Sequence, residues 1–421
     1  MISAVKDLVW GLPTVMLLLV SGVYFTKKTA FYKPRAVIST LRDTLLSLKG
    51  GSKNGISPFA AVATALGGTV GVGSIVGVGY AISVGGAGSI FWMWVCSFFG
   101  MGLKYAEILV ALGKRKRVNG FMLGGAAMRL EELGHKRLAS LFCVFCVLAS
   151  YGTGNLTQVG AMSGFLSDSG APDMLCAVVC VAVIALAVFG GRGRIAKINS
   201  VIVPGASLIY LLACGVILII NHTDIIPVFA RIFREAFGFS AIGGGFSGAL
   251  IARTLREGFV RSMFSNEAGM GSSPLAHSTS ETDSPVKQAK WGIFEIFFDT
   301  FIVSTLTAIC LLSIGQTDAG SMFGLVFGRL GVYAYGVLTA VFAFASVISW
   351  CYYAECCISF LFKGSERALI IYRTVFAFAA VPGVLMSDAT AWDIADILNA
   401  CMMAPNLFLL FKCRKEIERI A

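Results

Sequence analysis

Two segments of this 421-residue chain place polar residues and glycines inside long apolar runs. The clearer one runs from Arg261 to Pro274 and reads Arg-Ser-Met-Phe-Ser-Asn-Glu-Ala-Gly-Met-Gly-Ser-Ser-Pro. Ionisable side chains at membrane depth are costly and are a functional hypothesis by default. A purely structural alternative pairs Glu267 with Arg261 or Arg256 inside a helix bundle. We interpret the segment as an interrupted helix that forms part of a binding site.

The other segment runs from Ser57 to Gly79 and has glycines at 67, 68, 71, 73, 77 and 79. Glycines spaced four apart, such as Gly67 with Gly71, are typical of close helix packing. Gly71 and Gly73, however, fall on different faces of one helix. This spacing favours an unwound stretch over Thr69–Ser74, where backbone groups become available to a ligand.

The two interruptions have complementary polarity. A half-helix starting near Ser74 presents free amides and the positive end of its dipole, which suit a carboxylate. Free carbonyls at the end of the half-helix before Phe264–Asn266 suit an ammonium group or a cation. A zwitterionic amino acid together with a small cation fits this pair of sites.

The composition shows which elements position these segments. The chain is 57% hydrophobic and 14% charged, which excludes a soluble enzyme or a nucleic-acid module. Because backbone groups in lipid must be satisfied within the segment, the apolar runs are expected to be helices. We predict eleven membrane spans, at 8–26, 58–83, 86–112, 138–167, 172–190, 199–220, 246–275, 291–315, 331–361, 368–387 and 391–412.

The positive charges give the orientation. With the amino terminus outside, 26 of the 34 Lys and Arg residues fall in cytoplasmic loops and the carboxy terminus is cytoplasmic. Four lie on the opposite side and four within spans. This bias is the positive-inside pattern of a multi-pass protein of the cell membrane, so the net charge of +11 does not indicate nucleic-acid binding.

The interrupted segments lie five spans apart. Discontinuous helices at matching positions of two halves are typical of inverted-repeat transporters with a site at the midplane. We therefore predict an all-α polytopic membrane protein with a single domain over 1–421. Its parts are a leading helix at 8–26, a first five-helix repeat at 58–220 and a second at 246–412.

Several other residues are candidates for the site or for gating. Asn155 and Gln158 share one face of the fourth span, although hydrogen bonding between helices is the alternative. Ser346 could offer a hydroxyl to a cation, and Trp350 an apolar wall or gate rather than an interfacial anchor. The remaining candidates are a Lys104–Glu107 ion pair, an outer vestibule formed by Trp392, Asp393 and Asp396, and Asp299 with Thr300 as cavity or interhelical residues.

No catalytic machinery is readable. The three histidines do not form a metal site and are expected to be solvated or locally hydrogen-bonded. There is no phosphate-binding loop of the ATPase type and no nucleophile–base pair, so the chain is not expected to be an enzyme or to need a cofactor. A ligand-binding channel or receptor is the alternative from another functional class.

Motifs across nearly the whole chain resemble the alanine/glycine:cation symporter family, also called sodium:alanine symporters. The most specific is Phe264-Ser-Asn-Glu-Ala-Gly-Met-Gly-Ser-Ser-Pro-Leu-Ala-His277, preceded by Gly248-Ala-Leu and followed by Thr282-Asp-x-Pro285. The others are Phe91-Trp-Met-Trp94, Lys104-Tyr-Ala-Glu107, Gly152-x-Gly-Asn-x-x-Gln158, Trp350-x-Tyr-Tyr-x-Glu355, Trp392-Asp-x-Ala-Asp396 and Pro405-Asn406.

The resemblance implies a LeuT-type fold of two inverted five-helix repeats, here with one extra amino-terminal helix. It also implies uptake of alanine or glycine driven by a sodium or proton gradient, with a small amino acid and the lipid bilayer as partners. The residues that would contact the amino acid are Thr69, Gly71, Gly73, Ser74, Gln158, Phe264, Ser265, Asn266 and Trp350.

The resemblance also implies a cation site and shows a departure. Ser346, with backbone carbonyls of the first interruption at Thr69 and Val72, would bind sodium, and Lys104, Glu107, Arg261 and Glu267 would have structural or gating roles. The family usually reads Gly-Thr-Gly-Asn at the first interruption, where this chain has Gly71-Val-Gly-Ser74. A proton-coupled or differently specific transporter of the same fold is the alternative.

Overall fold

The computed structural model describes residues 2–29, 55–168, 170–238, 246–282, 284–386 and 388–420. Nearly all of them are helical. Most of the basic loop predicted over 27–57, and Asp283 of the Thr282-Asp motif, lie outside the described residues.

The first half of the chain alternates long helices with short connections. A two-stranded antiparallel hairpin and a short helix fill the loop after the third predicted span. A π-helical turn at Gly152–Leu156 connects α7 to α8. The elements are α1 (Ile2–Val9), α2 (Leu12–Lys28), α3 (Pro58–Thr69), α4 (Val72–Gly85), α5 (Gly88–Gly113), β1 (Lys116–Val118), β2 (Phe121–Leu123), α6 (Ala126–Glu132), α7 (Lys136–Tyr151), α8 (Thr157–Asp168), α9 (Asp173–Val188) and α10 (Gly191–Ile220).

The second half repeats this pattern after a short 3₁₀ turn at His222–Asp224. A π-helical stretch at Phe297–Ser304 connects α14 to α15, and Gly328, with φ of 65°, interrupts α16. The elements are α11 (Ile225–Ala236), α12 (Phe246–Asn266), α13 (Ser273–Ser278), α14 (Pro285–Ile296), α15 (Thr305–Ile314), α16 (Ala319–Leu361), α17 (Glu366–Phe378), α18 (Ala380–Leu385), α19 (Asp388–Lys412) and α20 (Arg414–Ile420).

Eight helical stretches among the described residues are long and apolar enough to cross a membrane. They are Pro58–Gly85, Gly88–Gly113, Lys136–Gly164, Gly191–Ile220, Pro285–Ile314, Ala319–Leu361, Glu366–Leu385 and Ala389–Lys412. Three of the eleven predicted spans are not among them. Helix α2 has 17 residues and α9 has 16, and α12 carries four charged side chains, at 253, 256, 257 and 261.

The first interruption is shorter than the sequence predicts. Helix α3 begins where the Ser57 hydroxyl accepts a hydrogen bond from the Ala60 amide at 3.1 Å, and it ends at Thr69. Gly71 has φ of −136° and ψ of −150°, and α4 begins at the next residue. The Ser74 hydroxyl lies 3.3 Å from the Thr69 carbonyl, so the side chain spans the gap between the two half-helices. The unwound stretch is thus Val70–Gly71 rather than Thr69–Ser74.

The second interruption lies later in the chain than the sequence predicts. Helix α12 continues through Phe264–Asn266. The break follows at Glu267, which has φ of 53°, and includes Gly269 and Gly271 with φ of 87° and 75°. Glycine adopts these left-handed conformations without the Cβ penalty that other residues incur. Helix α13 then begins at Ser273, with Pro274 in its first turn.

The interrupted helices lie at the centre of the bundle. Helix α12 packs on α4 and α5, and α13 packs on α3 and α5. Helix α16 packs on α3, α7, α8 and α10, which encloses the first interruption from the other side. Helices α9 and α10 form part of the outside, where apolar side chains such as Leu186 and Ile219 are exposed as expected for contact with lipid.

A buried ion pair fixes α17 against α16. Arg373 donates from Nε to Glu355 Oε1 at 2.7 Å and from Nη2 to Oε2 at 2.9 Å. The Glu355 side chain is fully buried. Two parallel hydrogen bonds of this kind define geometry as well as energy, so the pair fixes both the spacing and the rotation of the two helices.

We expect Glu355→Ala to destabilise the protein strongly. Removing one partner of a buried pair leaves the other charge uncompensated, at a cost of about 3–5 kcal/mol. Thermal unfolding in detergent measures the effect. Glu418→Ala is the matched control, because Glu418 pairs with Lys28 at an exposed position, where an ion pair contributes about 0–1 kcal/mol. Equal effects of the two variants would contradict this role of Glu355.

Candidate functional site

The two interruptions meet in the interior of the bundle. The Ser74 hydroxyl, at the start of α4, lies 3.0 Å from the Ser265 hydroxyl near the end of α12. Gly73 lies against Phe264, and a Cβ atom at position 73 would be 3.3 Å from the Phe264 ring. The structure therefore brings together the two segments that the sequence analysis selected independently.

Asp299 connects the two interrupted helices. It accepts hydrogen bonds from the hydroxyls of Ser74, through Oδ1, and of Ser265, through Oδ2 at 2.7 Å. Thr300 donates to the same Oδ2 at 3.3 Å. Asp299 is fully buried in the π-helical stretch. The sequence predicts Asp299 only as a cavity or interhelical residue. The signal that pointed to it was an acidic side chain within an apolar span.

Asn266 holds the end of α12 in place. Its Nδ2 donates to the hydroxyls of Ser97 at 2.7 Å and Ser262 at 3.0 Å. Its Oδ1 accepts from Thr300 at 2.9 Å. Both the nitrogen and the oxygen of the amide are therefore bonded to protein groups. Asn266 thus acts as a positioning residue for the site.

Gln158 and Ser346 lie against the first interruption, and Trp350 packs on Gly154 in the neighbouring π-helical turn. A Cβ atom on Gly71 would collide with the Ser346 hydroxyl and lie 3.4 Å from Gln158 Oε1. The glycine thus allows both side chains to approach the backbone. Gln158 Oε1 and Trp350 Nε1 are buried and have no hydrogen-bond partner among the described residues. Buried polar atoms without partners are rare in proteins and can be explained by a bound molecule or ion.

Hydroxyl and backbone carbonyl oxygens lie close together at the same point. Ser346 Oγ donates to the Gly67 carbonyl at 2.7 Å. The Thr69 hydroxyl donates to carbonyls of its own helix, at Ala65 and Leu66, and the Thr69 carbonyl accepts from the Gly71 amide at 3.0 Å. Val72 is the first residue of α4 and lies just beyond the break. Oxygen ligands of this kind suit hard cations such as sodium.

The described residues contain no cluster of strong ligands for a metal ion. No three His, Cys, Asp or Glu side chains there are arranged to hold an ion. The site offers hydroxyls, carbonyls and single carboxylates instead. Its side chains are nearly inaccessible to solvent, with Thr69, Ser74, Gln158, Phe264, Ser265, Asn266, Ser346 and Trp350 at most 5% exposed.

An aromatic and charged layer closes one end of the site. Arg261 Nη2 lies 3.4 Å from Asp396 Oδ2, and its guanidinium stacks over Tyr80 and Trp392 at 4.9 and 5.1 Å. Trp392 in turn contacts Phe264, with ring centroids 4.7 Å apart. The alternative that pairs Glu267 with Arg261 is wrong, because Arg261 points to α19 while Glu267 lies beyond the end of α12.

A buried polar network closes the other end, and its pairing differs from the prediction. Lys104 Nζ contacts Glu295 Oε1 at 3.1 Å and Ser273 Oγ at 2.5 Å rather than Glu107. Glu107 Oε1 accepts from the Gly271 amide at 2.9 Å and from Asn406 Nδ2 at 2.5 Å. The i, i+3 spacing suggested a pair within α5, but both side chains reach across to the second interruption.

His277 and Glu295 belong to this network and were missed as functional candidates. His277 is fully buried, with Nε2 3.0 Å from Glu295 Oε2, whereas the sequence analysis expected a solvated or locally bonded residue. Glu295, in an amphipathic stretch of α14, carried no motif of its own. A carboxylate on a helix next to a predicted interruption was the only signal available.

Known proteins are similar to this chain over nearly its whole length. A model of the sodium:alanine symporter family matches residues 1–420. The sodium/alanine symporter AgcS of Methanococcus maripaludis is 36% identical over 428 residues, which cover 97% of this chain and 93% of that protein. The probable sodium/glutamine symporter GlnT of Bacillus subtilis is 33% identical and covers 99% of this chain and 88% of its own.

A solved structure confirms the type of fold. The crystal structure of MhsT in complex with L-phenylalanine superposes with a TM-score of 0.62 at 15% identity, covering 86% of this chain and 90% of that one. Likeness at this identity shows the fold alone, and this neighbour agrees with the LeuT-type fold that the family resemblance implies, while the arrangement as two five-helix repeats stays a prediction. The chain is therefore a membrane transporter, not an enzyme, and it belongs to the sodium:alanine symporter family.

Proposed function

We propose that this protein is a secondary active symporter that takes up alanine or glycine together with sodium by alternating access. The observation that carries the proposal is the meeting of two interrupted helices at a buried polar site closed at both ends. A transporter must bind its substrate between two barriers, only one of which opens at a time. The names of the relatives AgcS and GlnT, which both include sodium and an amino acid, support the same class.

The topology we propose has eleven spans, with α2, α9 and α12 crossing the membrane besides the eight apolar stretches. Two inverted five-helix repeats would then cover 58–220 and 246–412, with α1 and α2 as a leading unit. The charge bias puts the amino terminus outside the plasma membrane and the carboxy terminus in the cytoplasm. The Arg261 layer is then extracellular and the Lys104 network is cytoplasmic.

The amino acid would bind across the two interruptions. Its carboxylate fits the amino-terminal end of α4 at Val72 and Gly73, where the helix dipole is positive, beside the Ser74 hydroxyl. Its ammonium group fits the carbonyl end of α12 near Phe264 and Ser265. Gln158 Oε1 and Trp350 Nε1 would gain the partners that they lack.

The small size of the proposed substrate agrees with the walls of the site. Trp350 packs so closely on Gly154 that a Cβ atom at position 154 would overlap its side chain. The indole therefore lies directly against the π-helical turn and cannot retreat in that direction. Sodium would bind between Ser346 and the carbonyls near Thr69 and Val72.

We expect the purified protein in liposomes to accumulate labelled alanine or glycine when sodium is higher outside. Replacing sodium with potassium should abolish accumulation, because the hydroxyl and carbonyl site is proposed to couple to sodium. A proton gradient without sodium tests the alternative coupling. Absence of gradient-driven uptake for both amino acids under either ion, or ion currents beyond transporter turnover, would overturn the proposal in favour of a channel or receptor.

Gln158→Ala should weaken alanine binding by roughly tenfold, the effect of losing about one hydrogen bond to a charged ligand. Scintillation proximity binding with labelled alanine at fixed sodium measures the affinity. Gln316→Ala is the matched control, because Gln316 lies in the turn after α15, away from the interruptions. Unchanged alanine affinity in Gln158→Ala would remove this residue from the site.

Ser346→Ala should raise the sodium concentration needed for half-maximal alanine binding by roughly tenfold, since one oxygen ligand is lost. Alanine affinity at saturating sodium should change little. Ser359→Ala, on the same helix, is a close control because Ser359 is buried and its hydroxyl has no partner among the described residues. Equal sodium dependence in both variants would place the cation elsewhere.

A further inference from the structure

The network at the cytoplasmic side of the second interruption contains more buried negative charge than its cations balance. The carboxyl groups of Glu107, Glu267 and Glu295 are all at most 2% exposed. Among the described residues, Lys104 is the lysine or arginine in direct contact with these groups, and it pairs with Glu295. Lys104 and Glu295 therefore form one neutral pair, and two carboxyl groups remain.

His277 lies on the same carboxylate as Lys104. Its Nε2 is 3.0 Å from Glu295 Oε2, and its Nδ1 is 3.0 Å from the side-chain amide of Gln288. Among the described residues, Glu107 and Glu267 therefore have no direct contact with a basic side chain.

The two remaining carboxyl groups differ in what stabilises them. Glu107 Oε1 accepts two hydrogen bonds, from the Gly271 amide and from Asn406. The Glu267 carboxyl accepts one hydrogen bond, from the Ser272 hydroxyl to Oε2 at 2.6 Å. The second oxygen of each group, Glu107 Oε2 and Glu267 Oε1, has no partner among the described residues. A hydroxyl can accept from a protonated carboxyl as readily as it donates to a carboxylate. Glu267 is therefore the group whose anion is least stabilised.

A buried carboxyl without compensation normally takes up a proton. We propose that Glu267 is a proton-binding site, protonated while the cytoplasmic side is closed and deprotonated when that side opens to water. Opening would separate α13 from α5 and α14 and expose the break at Glu267–Ser272. The proton then moves from the Glu267 carboxyl to water, and closing requires the reverse transfer.

A proton fits this place better than a metal ion. Glu267 Oε1 has no hydrogen-bond partner among the described residues, and no described group of three His, Cys, Asp or Glu residues is arranged to hold an ion. The titratable groups that act electrostatically on Glu267 lie on four of the surrounding helices. They are Lys104 and Glu107 of α5, Cys146 of α7, Glu295 of α14 and Tyr353 of α16.

The inference rests on the proposed transport function, and the first experiment tests it through transport. Alanine exchange is measured in liposomes at equal pH on both sides, over a series of pH values, with fixed sodium. Because closing would require protonated Glu267, wild-type exchange should fall by up to about tenfold per pH unit above the titration midpoint. Glu267→Gln mimics the protonated form, so its exchange should vary by less than about twofold over the same range.

Two variants on the same residue and helix sharpen the comparison. Glu267→Asp keeps a titratable group and should restore a pH dependence, with a shifted midpoint. Glu257→Gln makes the same chemical change ten residues earlier on α12, where the side chain is half-buried, and should keep the wild-type profile. A Glu267→Gln variant that folds and retains the wild-type pH profile would overturn the proposal.

A second experiment does not depend on transport or on the variant being active. Infrared difference spectra of the substrate-free wild type across the same pH series should show a protonated carboxyl band that shifts in D₂O. Glu267→Gln should lack this band. If the variant does not fold, alanine added to wild type in weakly buffered detergent solution should cause proton uptake as the protein closes. Absence of both the band and the uptake in wild type would exclude a proton at Glu267, whether or not alanine is transported.

Discussion

The structure depends on a single carboxylate that accepts hydrogen bonds from both interrupted helices. Asp299 receives the hydroxyls of Ser74 from α4 and Ser265 from α12. Because hydrogen bonds to a charged acceptor are among the stronger ones in proteins, this contact makes the two interruptions one unit. A helix that loses its internal hydrogen bonds in a membrane must find partners within the protein, and here the partners come from the other interrupted helix and from the π-helical stretch that carries Asp299.

The need for polar groups inside the membrane to find partners within the protein also explains how charge is distributed above and below the site. The Arg261–Asp396 contact, covered by Tyr80 and Trp392, lies on one side, and the Lys104–Glu295 pair lies on the other. The side chains of these two layers come from α4, α5, α12 to α14 and α19. Each layer includes an element that continues directly from the second interruption. A conformational change at the second interruption can therefore alter the contacts in either layer directly, without a change at the first interruption.

Local rules predicted which two segments are interrupted, but not where each interruption begins and ends. Glycine spacing around Gly71 and the polar run after Arg261 located both breaks, because these residues cannot complete an ordinary helix in lipid. The extents depend on tertiary contacts. Ser74 closes the first break by bonding to Thr69, and Asn266 extends α12 by bonding to Ser97. The predicted Lys104–Glu107 ion pair was wrong for the same reason. The i, i+3 spacing considers one helix only, whereas the partners of both side chains lie on other elements.

The departure from the usual family pattern at Ser74 has a structural counterpart in this chain. Where the family usually has asparagine, the shorter Ser74 side chain donates to Asp299 and lies 3.0 Å from the Ser265 hydroxyl. The serine hydroxyl is small enough to contact the Asp299 carboxylate and the Ser265 hydroxyl at the same time. The cohesion of the two interrupted helices therefore depends on the π-helical stretch that holds Asp299 in place.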